Sequence, residues 1–154
     1  MINYIDFWGV QMTKIVINRR YGGFGLSIKA QMRYLKLIGK KCYFYERTKY
    51  AYENNGVDEY VRISSKKAET VFTAYTITED LGKTITNLPN DDRFWYEGDL
   101  ERTDPLLILV IEEMGKKADG EYAELEIVEI PDDIEWEINE YDGRESVHEK
   151  HRSW

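Results

Sequence analysis

The sequence predicts an α+β (mixed α/β) fold with a mixed or mainly antiparallel sheet. Three observations lead to this class. Short runs of β-branched and aromatic residues recur along the chain at strand length. Two stretches have helical spacing and helix-capping residues, but repeated βα units are absent. The predicted order is a β-loop-α-β unit, further strands, a buried second helix and a C-terminal β-hairpin.

The β-loop-α-β unit covers residues 14–46. Lys14–Asn18 is a β-branched run typical of a buried strand, and the glycines after it allow a tight loop. Ser27 is a good N-cap for the following helix, and Gly39 marks the end of that helix. Lys41–Glu46 predicts the second strand. The predicted apolar stripe of the helix consists of Ile28, Met32, Leu35 and Ile38.

The middle of the chain predicts strands and then a core helix. Asp104 followed by Pro105 is the order expected at a helix start. Pro105–Lys117 is apolar almost all round its first two turns, so we expect a buried helix with Leu109 in the core. The predicted strands are Glu59–Ile63, Thr70–Thr78 and Arg93–Glu97.

The last part of the chain predicts a hairpin followed by a short helix. Glu121–Ile130 and Ile134–Glu140 bracket a Pro-Asp-Asp turn, and both alternate apolar and acidic residues. One face should pack on the core. After the turn at residues 141–143, a short helix should run to Trp154. The carboxylates expected on the outer hairpin face are those of Glu124, Glu126, Glu135 and Glu137.

The composition restricts the class of protein. Cys42 is the only cysteine, which excludes an intramolecular disulfide framework and a multi-cysteine zinc site and fits a reducing compartment. No run approaches the roughly 18 apolar residues that span a membrane. We therefore expect a cytoplasmic protein without a membrane partner. Residues 1–12 are predicted to be an N-terminal extension, and residues 13–154 a single globular domain.

The charges are distributed unevenly. Thr13–Tyr50 contains ten basic residues and one acidic residue, a net charge of +9. Ala51–Trp154 contains 11 basic and 27 acidic residues, a net charge of −16. Such polarity indicates an anionic partner for the first segment or a basic partner for the second. Alternatively, the two segments neutralise one another in the fold.

The glycine-rich loop is the main candidate site. A strand, a glycine-rich turn and a helix N-terminus can bind an anion through backbone N–H groups and the helix dipole. Ile28 stands where a dinucleotide fingerprint has its third glycine, which argues against a Rossmann cofactor site. The alternative is a tight turn that places Phe24 and Leu26 in the core. The predicted anion-binding residues are Arg19, Arg20, Gly22, Gly23, Gly25, Ser27, Lys29 and Arg33.

A second candidate site lies near the C-terminus. On a helix, Glu145, His148 and nearly His151 would share a face that could hold a divalent metal or perform acid/base chemistry. The alternative is a solvated helix held by ion pairs. Cys42 alternates with Phe44 along a strand and is expected to be inert. The sequence contains no signature of an enzyme, and it implies no catalytic residue and no cofactor.

These observations lead to a binding protein as the preferred function. The expected partner is a nucleotide or another anionic small molecule at the glycine-rich loop. The first alternative is a protein-binding inhibitor, or a DNA mimic, that uses the acidic C-terminal half. The second alternative is a small metal-dependent enzyme that uses the C-terminal Glu/His cluster. The sequence leaves a homo-oligomer open.

Four segments carry a resemblance to a known family. They are KIVIN-x-x-YGGFGLS at residues 14–27, GDLERTDP at 98–105, IVEIPDD at 127–133 and EYDG-x-E-x-VHE-x-HRSW at 140–154. In these segments the chain resembles a family of small, uncharacterised proteins encoded by phages and prophages. The resemblance implies a phage protein in the host bacterial cytoplasm, with a role against host defence. It implies no catalytic residues.

Overall fold

The structure is a computed structural model and describes residues 4–5 and 8–150. The predicted α+β class with mainly antiparallel strands is confirmed. In chain order the helices and strands are β1 Tyr4–Ile5, β2 Gln11–Asn18, α1 Ile28–Leu37, β3 Tyr43–Lys49, β4 Glu59–Ile63, α2 Ser65–Ala68, β5 Tyr75–Ile77, β6 Thr84–Thr86, β7 Phe94–Trp95, α3 Pro105–Met114, β8 Leu125–Pro131, β9 Trp136–Tyr141 and β10 Arg144–Glu149.

The chain divides into two compact units. The first unit contains residues 1–30 and 98–154, and the second unit contains residues 31–97. Strand β2 begins at Gln11 and pairs with β1, so strand structure extends into the predicted N-terminal extension. The single globular domain from residue 13 onward stays a prediction.

The first unit is built on strand β2. Its β-branched run is completely buried at Ile15, Val16 and Ile17, as expected from the sequence. On one side β2 pairs with β1, and on the other it pairs antiparallel with β8. Helix α3 begins as predicted, because the Asp104 side chain accepts a hydrogen bond from the Leu106 N–H at 2.8 Å.

Helix α3 is buried on one side only. Leu107, Val110 and Ile111 are buried, but Leu109 is 39% exposed, so the prediction of Leu109 in the core is wrong. An apolar sequence all round a helix does not specify which side other elements cover. The α-helix ends at Met114, and a 3-10 helix continues it through Ala118. No helix in the part of the chain that the structure describes is long and apolar enough to cross a bilayer.

The C-terminal hairpin is present, but different strands form it. Strand β8 pairs with β2, and the hairpin consists of β9 and β10. The predicted helix over residues 144–149 is therefore wrong. Asp142 and Gly143 have φ values of 51° and 85°, which is the backbone of a two-residue hairpin turn. This Asp-Gly turn returns the chain as a strand.

The second unit is a five-stranded antiparallel sheet with the order β6-β4-β3-β5-β7. One face buries Tyr45, Tyr60 and Ile77. On the other face, the Thr76 hydroxyl donates a hydrogen bond of 2.7 Å to Gln31 of α1. The predicted strand Thr70–Thr78 is wrong in length, because only β5 within it is a strand.

Helix α1 uses a different face from the predicted stripe. Leu35 is buried, but Met32 and Ile38 are 39% and 37% exposed, so the stripe is wrong at these two positions. Gln31 and Tyr34 are buried in their place, and the Tyr34 ring lies 5.8 Å from that of Trp95. Gln31 and Tyr34 carry polar atoms, so a search for apolar residues at helical spacing does not find them.

Candidate ligand-binding surface at the glycine loop

The glycine loop, residues 19–27, connects β2 to α1 and is tightly packed in the first unit. Gly22 and Gly23 have φ values of 120° and 104°, which other residues rarely adopt. A Cβ atom on Gly22 would lie 2.9 Å from the Cβ atom of Tyr122. A Cβ atom on Gly143 would collide with the backbone nitrogens of Gly22 and Gly23. These glycines therefore allow other segments to approach the loop closely.

The second half of the loop is paired with residues 118–120. The Gly25 carbonyl accepts a hydrogen bond of 2.9 Å from the Gly120 N–H, and the Ser27 N–H donates to the Ala118 carbonyl at 2.9 Å. The Gly22 N–H donates to the Asp142 carbonyl at 3.2 Å. Backbone groups expected to face an anion thus bind other parts of the chain. This geometry is that of the tight turn considered as the alternative.

A buried ion pair lies beneath the loop. The Arg102 guanidinium donates two hydrogen bonds to the Glu145 carboxylate, at 2.6 and 2.9 Å. The side chains are only 17% and 8% exposed. The guanidinium also stacks on the Phe24 ring at 3.7 Å. Arg102 and Glu145 are 43 positions apart, and nothing in the sequence around either residue indicates a buried partner, so the pair could not be predicted.

Asn18 holds the first residues of the loop in place. It is completely buried, and its amide donates to the carbonyls of Arg20 and Gly143 at 2.7 and 2.8 Å. Its side-chain oxygen accepts from the N–H groups of Arg20 and Glu124 at 3.1 and 2.9 Å. Its own N–H donates to Glu145 at 2.8 Å. Asn18 therefore joins the start of the glycine loop to Glu124 and to the segment of Gly143 and Glu145. In the sequence, the one sign of this role is that a polar residue ends a buried strand.

The outer surface of the loop carries tyrosine and arginine. Tyr21 and Tyr122 are 53% and 48% exposed. The Arg144 guanidinium lies 5.8 Å from the centre of the Tyr21 ring, and Arg20 reaches the Glu121 carbonyl at 3.4 Å. Arg20 and Arg144 form no ion pair within residues 4–5 and 8–150. We call this surface the tyrosine–arginine patch; its members are Arg20, Tyr21, Tyr122 and Arg144.

The other predicted anion-binding residues have different surroundings. Arg19 forms a 2.7 Å ion pair with Glu126, which neutralises its charge. The Ser27 hydroxyl donates to the Lys117 carbonyl at 2.7 Å and accepts from the Ala30 N–H at 3.2 Å, so the predicted N-cap is confirmed. Lys29 is exposed in the first unit. Arg33 belongs to the second unit and is half-buried.

The C-terminal cluster does not have the predicted geometry. Glu145 and His148 are three apart on strand β10 and therefore point to opposite faces, so their placement on one helical face is wrong. The Glu145 carboxylate is occupied by Arg102 and Asn18. His148 bonds the Ser146 hydroxyl at 2.8 Å. His151 lies outside the described residues, among which no three side chains are grouped to hold a metal.

The predicted carboxylate face is divided between two sheets. Glu124 precedes strand β8 and Glu126 lies in it, whereas Glu137 lies in β9 and Glu135 precedes it. All four are exposed, but β8 and β9 do not pair with each other, so the prediction of a single carboxylate ladder is wrong.

The only cysteine, Cys42, lies in the second unit, where burial raises the pKa of its thiol to about 12. This thiol is therefore protonated near neutral pH, as an inert cysteine should be.

Comparison with known proteins finds no matching family model, no similar curated protein and no similar solved structure. The function must therefore be inferred from the chemistry of the surface itself.

Proposed function

We propose that the protein binds an anionic small molecule with a planar ring, a nucleotide, at the tyrosine–arginine patch. The observation that carries the proposal is the position of Arg20 and Arg144. Neither has a carboxylate partner in the described chain, and both lie beside half-exposed tyrosines. The first unit contains ten basic and 19 acidic residues, so two arginines at one place without a carboxylate partner among its described residues are unusual.

The side chains of the patch match the two parts of a nucleotide. A tyrosine ring can stack on a nucleobase, and such stacking contributes about 1–3 kcal/mol per base. A guanidinium can donate two parallel hydrogen bonds to a phosphate. The sequence predicted that backbone N–H groups of the glycine loop bind the anion. In this proposal the arginine and tyrosine side chains bind it instead. The glycines hold Tyr21 at the surface by allowing the turns to pack closely.

The proposed role is binding without catalysis. The resemblance to phage-encoded proteins supports a setting in the bacterial cytoplasm, where a protein of this kind would sequester a nucleotide used in host defence. Stable sequestration requires affinity and a preorganised surface. Asn18 and the buried Arg102–Glu145 pair supply the latter by fixing the loop beneath the patch.

Thermal unfolding with a panel of mono-, di- and cyclic nucleotides tests the proposal. At least one should raise the melting temperature by several degrees, because a ligand at a hundredfold excess over Kd stabilises the native state by about 2.7 kcal/mol. Arg20→Glu should abolish the shift by reversing a charge at the phosphate position. Tyr21→Ala should weaken it, whereas Tyr21→Phe should retain it because the ring remains.

The matched control is Lys66→Glu, which reverses an exposed charge in the second unit and should leave the shift unchanged. Each variant must keep the wild-type melting temperature without ligand to within a few degrees. If no nucleotide stabilises the protein at millimolar concentration, the proposal fails. The alternative, inhibition of a host protein through the exposed glutamates of the acidic strands, would then be preferred.

A further inference from the structure

A cluster of tyrosines surrounds one arginine in the second unit. Arg47 of β3 is paired in register with Tyr60 of β4, so both side chains lie on the same sheet face. The Arg47 guanidinium carbon lies 5.0 Å from the ring centre of Tyr50, 5.5 Å from that of Tyr60 and 5.6 Å from that of Tyr75. These distances are typical of cation–π contacts.

The charge of Arg47 is only partly compensated. Asp58 Oδ2 lies 4.0 Å from Arg47 Nη2, which is too long for a hydrogen bond. The Asp58 oxygens instead accept from the Ala51 N–H at 2.7 Å and from the Tyr60 hydroxyl at 3.3 Å. Arg47 Nε is buried without a hydrogen-bond partner in the described chain. The Arg47 side chain as a whole is 28% exposed.

The turn between β3 and β4 presents two more rings. Tyr50 is 46% exposed and Tyr52 is 82% exposed. Their ring centres are 5.6 Å apart with an angle of 32° between the planes. The turn is held by its own hydrogen bonds, including Gly56 N–H to the Ala51 carbonyl at 2.8 Å. A preordered turn of this kind can present aromatic rings to a ligand at low entropic cost.

The ring spacing decides where a ligand ring can sit. A planar ring inserted between two others requires about 7 Å, twice the ~3.4 Å stacking distance of nucleobases. Tyr50 and Tyr52 are closer than this, so nothing can enter between them. The outer face of Tyr52 is available instead. Arg47, on the neighbouring sheet face, is the cation nearest to the Tyr50 ring among the contacts described.

We propose that this turn of the second unit binds single-stranded nucleic acid. A base stacks on Tyr52, and a backbone phosphate contacts the Arg47 guanidinium. Residues 31–97 contain 11 basic and ten acidic residues, so a polyanion is not repelled there as it is by the first unit. Stacking does not depend strongly on base identity, and a duplex does not offer its base faces. The inference does not depend on the nucleotide site at the glycine loop.

Fluorescence polarisation with labelled oligonucleotides tests this site. The probes are an oligothymidylate and an oligouridylate of about twelve nucleotides, with a duplex of the same length as the control. Both single strands should bind and the duplex should not. Only one or two phosphates can be neutralised, so log K should fall with log salt with a slope between about −0.7 and −1.4.

Variants of the exposed ring locate the binding. Tyr52→Ala should weaken oligonucleotide binding roughly 5- to 150-fold, the equivalent of 1–3 kcal/mol, whereas Tyr52→Phe should retain it. The matched control is Tyr141→Ala, which removes a tyrosine that is 79% exposed in the first unit and should have no effect. Tyr52 is so exposed that its replacement should leave the melting temperature unchanged. Arg47→Gln should reduce both the affinity and the salt slope, with circular dichroism as the check on folding.

Four results would overturn the inference. The first is no binding of either single strand at low salt, and the second is equal affinity for wild type and Tyr52→Ala. The third is loss of oligonucleotide binding in Tyr21→Ala, because the strand would then occupy the glycine loop. AMP and TMP serve as competitors. If AMP and TMP displace the labelled oligonucleotide only at concentrations far above that of an unlabelled oligonucleotide, the site recognises a strand. If they displace it at the same concentration, which is the fourth result, the site binds a mononucleotide instead.

Discussion

The two units bury polar groups in different ways. The first unit buries an ion pair and an asparagine amide, and both form hydrogen bonds to backbone and side chains. The second unit buries tyrosine rings and keeps their hydroxyl groups at the margin, where Tyr45 bonds the backbone of residues 81 and 82. A buried charge costs far more than a buried hydroxyl when its partner is lost. The first unit should therefore be the more sensitive to single polar substitutions.

The units also differ in net charge. The first unit is acidic and the second is nearly neutral, whereas the linear sequence has a basic segment followed by an acidic one. The basic segment of residues 13–50 is shared between them. Lys14 and Arg19 are paired with Glu112 and Glu126 in the first unit, and Lys49 is paired with Glu59 in the second. Neutralisation within each unit, the alternative considered for the charge asymmetry, thus accounts for these residues. Arg20 and Arg144 form no ion pair with any residue that the structure describes, which is why they carry the proposed function.

The largest expected effect is on the buried ion pair. Arg102→Met should lower the free energy of unfolding by about 3–5 kcal/mol, because the Glu145 carboxylate would remain buried without its partner. The matched control is Lys14→Met, which breaks the exposed pair with Glu112 and should cost at most about 1 kcal/mol. Urea denaturation measures both. Equal costs for the two variants would show that the polar interior of the first unit has no special importance.

A smaller effect is expected at the crossing of two turns. Gly143→Ala should cost roughly 2–4 kcal/mol, since the new Cβ would collide with the backbone of Gly22 and Gly23 at a φ of 85°. Gly56→Ala in the second unit has a similar φ of 81° but open space around the Cβ, so it should cost only about 1–2 kcal/mol. The difference between the two variants isolates the close approach. No difference would mean that backbone conformation alone requires Gly143.

The smallest effect is expected in the second unit. Tyr45→Phe removes a hydroxyl that donates to the Gly82 carbonyl at 2.8 Å and accepts from the Leu81 N–H at 3.2 Å. The expected loss is about 1–3 kcal/mol, with a local rise in hydrogen exchange around residues 81 and 82. Tyr52→Phe is the control and should change stability by roughly 0.5 kcal/mol or less. A loss above that of Arg102→Met would reverse the proposed order of the units.

Much of the fold could be predicted because local rules determine it. The β-branched run of β2 is a buried strand, and the caps at Ser27 and Asp104 are formed by the side chains that the sequence indicated. A cap is satisfied by residues two or three positions away, and a short β-branched run favours extended backbone wherever it packs. The α+β class follows from the sum of such local signals.

The partners of these elements could not be predicted in the same way. Strand β9 alternates as expected and strand β8 does so from Leu125 to Ile127, but only the tertiary structure pairs β8 with β2 and β9 with β10. The Asp142-Gly143 turn contained a hairpin signal, yet the spacing of Glu145, His148 and His151 after it favoured a helix in our interpretation. Alternation of apolar and polar residues specifies which residues share a face of a strand, but it does not specify which other strand pairs with it.

The sequence by itself therefore determined the strand of residues 14–18, the two helix starts and the need for glycine between them. Only the tertiary structure decided which segments the glycines allow to pack closely, which arginines have no carboxylate partner among residues 4–5 and 8–150, and that Leu109 and Met32 are exposed. The physical reason is the range of the interactions. Backbone preference and capping act within a few residues, whereas burial and ion pairing join residues such as Arg102 and Glu145, which are 43 positions apart.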